Sequence, residues 1–384
     1  MKALALTAQW EPRSGYPLSD WERQTRKAIT GSAVWRRPTL EVKEVPTPQV
    51  QPDQVLVRVR ACGVCGSDMH FYETDAEDYI LYPGLTRFPT ILGHEFSGEI
   101  VEVGAAVQDL RVGDKVTAEE MIWCGHCRPC RDGFPNQCLN LEEIGFTIDG
   151  AFAEYIAIGA KYCWKLNDLA DRYPGQALFE AGALVEPCSV AYNCCFTRAG
   201  GFLPGSDVVV FGAGPIGLAA TAECRAAGAA RLIVFEISPT RRDLARKVGA
   251  THVYDPRAVV PHDVIMDLTQ GIGAALLVEA AGAPDRTIPE MEQALAFDGK
   301  IAQVGRAATK VPMYLERFQV RHAQFFGAQG HSGDGIFPHV ISMMAAGLMD
   351  MTQIITSRYD LVQTVDAIKA STDRSGGKVM VIVQ

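Results

Sequence analysis

The sequence predicts an α/β protein with two domains, one a barrel-like antiparallel β domain and the other a parallel sheet flanked by helices. Three observations support this prediction. The chain has 384 residues, which is long for a single domain. Before residue 187, short β-like runs are separated by Gly, Pro and Asp. After it, strands and helices alternate with the rhythm of βαβ units.

The β-like runs of the first half are QVLVRVRACG at 54–63, SGEIVEVG at 97–104, GDKVTAEE at 113–120 and FAEYIAI at 152–158. A terminal run, KVMVIVQ, is predicted to pair back with that half. We therefore assign residues 1–187 and 321–384 to the β domain and residues 188–320 to the parallel-sheet domain. Residues 9–37 are rich in Trp, Arg, Pro and Ser and are interpreted as an insertion, with a helix predicted at LSDWERQTRKAI.

Composition narrows the class of function. A formal net charge of −9 disfavours nucleic acid or an anionic membrane as partner. No run of eighteen apolar residues and no signal-peptide pattern occurs. Eleven cysteines in such a chain indicate a reducing compartment. We predict a cytoplasmic protein that acts on a small molecule.

The most informative local feature is a run of four cysteines, CGHCRPCRDGFPNQC, with spacing C-x2-C-x2-C-x7-C. Two-residue gaps let successive thiolates turn inward, which suits a closed structural zinc site with four sulfur ligands. An iron–sulfur segment is one alternative, although ferredoxin runs place their fourth cysteine differently. Disulfides are the other alternative, disfavoured without a secretory segment. The predicted ligands are Cys124, Cys127, Cys130 and Cys138, with His126 as a solvated loop residue.

A G-x-G-x-x-G turn follows the apolar run VVVF and opens a small-residue helix, the context that a dinucleotide site requires. The candidate binding residues in this turn are Gly212, Gly214, Pro215, Ile216 and Gly217. Glu236 ends the next strand, where a carboxylate accepts hydrogen bonds from the adenine ribose and favours NAD over NADP. Arg241 or Arg242 provides an alternative, because an arginine there can hold a 2′-phosphate.

A second group of metal-binding residue types lies in the first half. GVCGSDMH contains Cys65, Ser67, Asp68 and His70, and LGHEFSG contains His94 and Glu95. One thiolate, one imidazole and one carboxylate leave a tetrahedral zinc with an exchangeable position, as catalysis needs. Glu186, in ALVEPCSV, either ligates this metal, holds its water, or is only a carboxylate at a helix start.

Together these motifs, with GDKV, DGAFAEY and KVMVIV, resemble the zinc-dependent medium-chain dehydrogenase/reductases over the whole chain apart from residues 9–37. The resemblance implies a GroES-like β-barrel catalytic domain and a Rossmann domain. It implies two zinc ions per chain, one catalytic on Cys65, His94 and Glu95 and one structural on the four cysteines, and NAD as cofactor. Ser67 and His70 match proton-relay positions, and Asp68 matches a residue that orients a zinc ligand.

Glu95 and Glu186 together look like the polyol and threonine dehydrogenase branch of the family. We therefore predict oxidation of a secondary alcohol on a polyol or cyclitol, with sorbitol, threonine or simple alcohols as alternatives. The rival classes are a zinc-free reductase and a non-enzymatic NAD-binding relative. By resemblance, His331 and Trp123 line the substrate pocket. We also expect a homo-oligomer, dimer or tetramer, and an insertion whose arginines offer donors to substrate hydroxyls.

Overall fold

The computed structural model describes residues 1–306, 310–331, 333 and 335–384. The strands are β1 Lys2–Trp10, β2 Trp35–Glu44, β3 Gln54–Gly63, β4 Thr90–Ile91, β5 Glu95–Val103, β6 Lys115–Ala118, β7 Met121–Ile122, β8 Glu142–Glu143, β9 Tyr155–Gly159, β10 Cys163–Lys165, β11 Asp207–Phe211, β12 Arg231–Phe235, β13 His252–Tyr254, β14 Ala274–Glu279, β15 Leu295–Gln303, β16 Gln324–Gly327, β17 Ile355–Asp360 and β18 Lys378–Ile382.

The α-helices are α1 Asp20–Thr25, α2 Gly66–Tyr72, α3 Arg128–Arg131, α4 Gln176–Ala183, α5 Val185–Tyr192, α6 Pro215–Ala226, α7 Pro239–Lys247, α8 Pro261–Leu268, α9 Pro284–Gln293, α10 Leu315–Arg321, α11 Ile336–Ala345 and α12 Thr364–Ser371. A π-helical turn, Asn193–Arg198, continues α5. None of the helices in the described ranges has the length and apolar character needed to cross a membrane.

The chain divides into two compact units. The first contains Met1–Glu186, Ile355–Asp373 and Lys378–Gln384, and the second contains Pro187–Ile354 and Arg374–Gly377. The sequence assigned residues 321–384 to the first domain, whereas the structure places the part from 321 to 354 in the second unit. The reason is backbone pairing: β16 extends the second unit's sheet beside β15, with Lys300 opposite Gln324.

The first unit is built on a largely antiparallel sheet with strand order β10-β6-β5-β3-β18-β17, with β9 also on β3. A smaller sheet, β2-β1-β4, accompanies it. Alternating β3 side chains such as Val55, Val57 and Val59 are buried in one apolar core, as the period of a half-buried strand requires. β18 pairs antiparallel with β3, with Met380 opposite Gly63, which confirms that the C-terminal strand returns to this unit.

The insertion is fixed by contacts within the first unit. Its helix, α1, is only six residues long, because Arg26 takes a left-handed conformation with φ 57° and the chain then turns so that Ala28 pairs with Thr86. Arg13 forms ion pairs with Asp75 and Glu77, and Arg36 and Arg37 also have acidic partners. Arg23 instead donates to the carbonyl of Leu18, and Arg26 lies over the Trp10 ring. The role of the insertion's arginines as donors to substrate stays a prediction.

The second unit has a parallel six-stranded sheet with strand order β13-β12-β11-β14-β15-β16. Its central strands are buried and continuously apolar, as expected when helices cover both faces. The sequence-based α/β fold class is thus confirmed. In such sheets, ligands bind at the carboxyl ends of the strands, where the strand order reverses, here between β11 and β14.

Candidate metal and dinucleotide sites

The four predicted structural ligands are brought together. The sulfur atoms of Cys124, Cys127, Cys130 and Cys138 all lie within 4.8 Å of one another. Cys127 Sγ is 3.4 Å from Cys130 Sγ and 3.8 Å from Cys138 Sγ. These separations are too long for disulfides and close to the ~3.8 Å edge of a tetrahedron with zinc–sulfur bonds of about 2.3 Å. The donor set therefore fits a closed zinc site.

Backbone and side-chain N–H groups donate hydrogen bonds to the sulfur atoms of these cysteines, which favours the thiolate form that binds a metal cation. The amide nitrogens of Cys124 and Asn140 each lie 3.3 Å from Cys138 Sγ. The Asn140 side-chain amide donates to Cys124 Sγ, and this bond above all lowers the pKa of that thiol to about 5. His126 is exposed on the loop, as predicted, and its Nδ1 lies 3.2 Å from the carbonyl of Cys124.

The predicted catalytic ligands also converge. Ligand atoms of Cys65, His94 and Glu95 lie within 4.8 Å of one another, with His94 and Glu95 buried. Cys65 precedes α2, while His94 and Glu95 stand at the start of β5, so two neighbouring elements supply the three groups. Gly63 is required opposite Glu95, because a Cβ there would lie 2.2 Å from the Glu95 carboxylate. Thiolate, imidazole and carboxylate form a donor set that fits zinc.

Helix α2 carries the residues predicted to support this site. Asp68 is buried, and its Oδ2 accepts a hydrogen bond of 2.9 Å from the Cys65 backbone N–H. Its Oδ1 lies 4.0 Å from His94 Nδ1, so it faces the imidazole without a hydrogen bond in this geometry. Burial raises the pKa of Asp68 to about 6. Ser67 Oγ is buried and has no hydrogen-bond partner among the described residues.

Lys378 is a feature of this site that the sequence analysis missed. The side chain is 1% exposed, and its Nζ donates to Glu95 Oε1 at 2.6 Å and to the carbonyl of Val64 at 3.1 Å. The pKa of Lys378 is raised above its usual value. Burial alone would lower it, but the negative charges of Glu95 and Cys65 have the larger combined effect. The signal in the sequence was a lone lysine at the start of an otherwise apolar strand.

Two further acidic residues that the sequence analysis did not single out border the site. Glu120 follows β6 and Glu143 lies on β8, and both are buried. A carboxylate oxygen of Glu120 lies within 4.8 Å of one of Glu186, the residue predicted to act beside the metal. Burial and then the charge of Glu143 raise the pKa of Glu120 well above its usual range. The pKa of the His94 imidazole is raised: burial lowers it, but the hydrogen bond with Cys65 and the charges of Asp68 and Cys65 outweigh burial, and Glu186 adds a smaller effect of the same sign.

The Gly-rich turn is tightly packed at its first and third glycines and open at its second. Gly212 has φ +91°, and a Cβ on Gly217 would lie 1.9 Å from the carbonyl of Gly212. By contrast, the nearest atom to a Cβ on Gly214 would be Arg241 Nη1 at 3.8 Å, which leaves open space beside this residue. Pro215 and Ile216 begin α6, whose N-terminus offers N–H groups to phosphate.

The acidic residue and the two arginines near this turn have different surroundings. Glu236 Oε2 accepts from Ala213 N at 2.7 Å, and Oε1 accepts from Ser238 N at 2.8 Å, which fixes the carboxylate beside the turn. Arg242 is occupied by Asp255 and by the carbonyl of Glu236. Arg241 donates to the carbonyl of Gly376 and has its guanidinium beside Gly214. Of the two arginines, only Arg241 therefore lies at the turn.

The two residues predicted to line the substrate pocket have defined packing. Trp123 donates from its indole N–H to Glu119 at 3.0 Å and packs edge-on against Tyr162. His331 is fully buried, with its ring against Phe337 at 4.9 Å. These contacts orient both side chains, and their role toward a substrate stays a prediction.

Two known protein families match large parts of the chain. Residues 51–168 match the family described as alcohol dehydrogenase GroES-like domain, and residues 215–346 match the family described as zinc-binding dehydrogenase. The scyllo-inosose 3-dehydrogenase of Thermotoga maritima is 48% identical, with both chains covered completely.

Solved structures give the same result. A structure from Thermotoga maritima has a TM-score of 0.96 at 48% identity, covering 99% of each chain. A zinc-binding dehydrogenase of Sinorhizobium meliloti 1021 bound to NADP has a TM-score of 0.78 at 29% identity, covering 93% of this chain and 98% of that one.

The chain thus belongs to the zinc-dependent medium-chain dehydrogenase/reductases. It is an oxidoreductase that acts on an alcohol or polyol with zinc and NAD(P).

Proposed function

We propose that the protein oxidises a secondary hydroxyl of a cyclitol, with scyllo-inosose as the best candidate substrate and NAD as the hydride acceptor. The convergence of Cys65, His94 and Glu95 carries this proposal. The full-length similarity to the Thermotoga scyllo-inosose 3-dehydrogenase supports the choice of substrate. We further propose two zinc ions per chain, the second on the four cysteines.

Bound zinc supplies Lewis acidity and NAD supplies a hydride acceptor. The chain's own residues bind and orient. Ser67 Oγ is proposed to accept the proton of the reacting hydroxyl as it releases its own, and His70, one turn further along α2, to pass the released proton toward solvent. Glu186 holds a polar group beside the metal or becomes a ligand itself. Lys378 offsets the charge of Glu95, so that this buried carboxylate keeps its place at the site.

The buried acidic residues Glu120 and Glu143 favour a substrate with several hydroxyls. A carboxyl group keeps oxygen atoms that accept from O–H donors in either protonation state. A carboxylate oxygen of Glu120 lies within 4.8 Å of one of Glu186, close to the proposed reacting centre, and Glu143 is near enough to Glu120 for its charge to raise the pKa of Glu120. We therefore propose that they accept hydrogen bonds from hydroxyls next to the reacting carbon.

The choice of NAD over NADP is proposed from Glu236. Its carboxylate is fixed at the turn by two backbone donors, so it can accept from ribose hydroxyls and repel a 2′-phosphate. Arg241 favours the opposite choice by its position, because its guanidinium lies beside Gly214.

We also propose that the protein is a homo-oligomer located in the cytoplasm. β16 is the last strand of its sheet, and Phe325 on it is exposed, as are Leu315 and Val320 on α10. An apolar sheet edge is a surface that a second copy can cover. None of the eleven cysteines forms a disulfide, which supports a reducing compartment. Light scattering should give a mass above one chain, and Phe325→Glu should lower it.

A substrate panel tests the proposed reaction. NADH formation would be followed with scyllo-inosose, myo-inositol, sorbitol, threonine, cyclohexanol and ethanol. We expect kcat/KM to be highest for a cyclitol and roughly 10⁴-fold lower for ethanol. Glu120→Gln should raise KM for the cyclitol and leave cyclohexanol oxidation nearly unchanged. A clear preference for threonine or ethanol would overturn the cyclitol assignment.

A further inference from the structure

The π-helical turn Asn193–Arg198 supports an irregular segment of the second unit. Asn193 is 2% exposed, and its single side-chain nitrogen donates to two consecutive carbonyls, Gly330 at 2.8 Å and Gln329 at 3.3 Å. Arg198, at the other end of the turn, donates to the carbonyl of Gly327 at 3.4 Å. π-helical turns are rare and are often found at functional sites.

This segment leaves the carboxyl end of β16, where parallel sheets bind ligands. The adenine half of a dinucleotide lies toward β12, which ends at Glu236. The opposite half lies toward β14, β15 and β16, across the point where the strand order reverses. The segment held by Asn193 is therefore on the side of the nicotinamide.

The two hydrogen bonds of Asn193 fix the direction of the peptide between Gln329 and Gly330. A trans peptide is planar, with its C=O and N–H pointing in opposite directions. Because the Gln329 carbonyl points to Asn193, the Gly330 N–H points away from it. This N–H makes no hydrogen bond to any residue in the described ranges. Gly330 has φ +54°, a conformation that favours glycine.

We propose that Asn193 is a positioning residue for the nicotinamide half of the cofactor. It holds the peptide before Gly330 so that the Gly330 N–H is presented as a donor to the polar substituent of the nicotinamide ring. Asn193 does not itself contact the cofactor. The inference rests on the proposed function, because it requires that the second unit binds NAD.

ADP-ribose provides a direct test, because it carries the adenine half and lacks the nicotinamide. Dissociation constants for NAD and for ADP-ribose would be measured by titration calorimetry on the full-length protein. We expect Asn193→Ala to weaken NAD binding about tenfold and ADP-ribose binding less than about twofold. Thr269→Val is the matched control, since Thr269 is a buried hydrogen-bonding side chain at the C-terminal cap of α8 in the same unit. The control should leave the ratio of the two constants unchanged.

Gly330→Ala gives a second reading that does not depend on the folding of the Asn193 variant. An alanine at φ +54° strains the same peptide from the other side and should also weaken NAD selectively. Equal losses for both ligands, or no loss in either variant, would overturn the positioning role. If the parent protein binds neither NAD nor ADP-ribose, the proposed NAD-dependent function itself is wrong. If the parent binds both ligands and the variants weaken both equally, only the positioning role of Asn193 is wrong.

Discussion

Glu223 offers a sharp test of the packing of the second unit. It lies on α6 with no exposed surface, and neither carboxylate oxygen has a hydrogen-bond partner among the described residues. Burial, and next the charge of Cys194, raise the pKa of Glu223 well above its usual range. A buried polar group without a partner costs about 1–3 kcal/mol, so this side chain should destabilise the fold.

Glu223→Met removes both unsatisfied oxygens and keeps the length and helix propensity of the side chain. We expect the free energy of unfolding to rise by about 1–3 kcal/mol. At about 2–4 °C per kcal/mol for a unit of 150–250 residues, the melting temperature should rise by about 2–12 °C.

The pH dependence has a defined sign. Below the pKa of the unfolded state, both states hold the proton of Glu223. As the pH rises above that value, the unfolded state loses its proton first, because the pKa is raised in the folded state. The stability of the parent protein then falls with rising pH. The advantage of Glu223→Met should therefore be larger at pH 8 than at pH 5.

Urea unfolding of the parent and the variant at both pH values measures this difference. Glu223→Gln removes only the titration, so it should gain at pH 8 and little at pH 5. Glu316→Met, at an exposed position on α10, is the control and should change stability by less than about 0.5 kcal/mol. If Glu223→Met is no more stable than the parent at pH 8, or if its gain in stability is the same at both pH values, the buried Glu223 carboxyl does not destabilise the fold in the way described.

Three other substitutions test the metal and cofactor sites. Lys378→Met leaves the buried Glu95 carboxylate without its ammonium partner and should cost about 3–5 kcal/mol in urea unfolding, with Lys378→Arg less harmful; a loss below about 1 kcal/mol would contradict the pairing. Cys127→Ser should lower the melting temperature, because zinc binding is coupled to folding, while an unchanged melting curve would remove the structural role. Glu236→Ala should narrow the preference for NAD over NADP by roughly tenfold or more in kcat/KM; equal use of both cofactors by the parent would show that Arg241 dominates instead.

The sites that the sequence predicts best are those whose residues are close in the chain. The four cysteines span a short loop, and the glycines of the turn are a few residues apart, so spacing alone restricts their geometry. Cys65, Ser67 and Asp68 also share one helix start, and the same argument applies to them.

Contacts between residues distant in the chain were not predictable in this way. Lys378 reaches Glu95 across 283 positions, and the two meet because β18 and β5 both pair antiparallel with β3. The domain boundary in the structure differs from the predicted one for a similar reason. β16 has too few residues to show a periodic pattern, and its pairing with the distant strand β15 places it in the second unit's sheet. The ion pairs of Arg13 are of the same kind, because Asp75 and Glu77 lie 62 and 64 positions away in the chain.

We propose that Cys65, His94 and Glu95 hold a catalytic zinc, in addition to the structural zinc on the four cysteines. Zinc content per chain, measured by elemental analysis of the parent and of Cys65→Ser, tests it most directly. We predict two zinc ions in the parent, and about one in a folded Cys65→Ser variant that no longer forms NADH. An active parent with one zinc or none, or a Cys65→Ser variant that keeps both ions and its activity, would contradict the account.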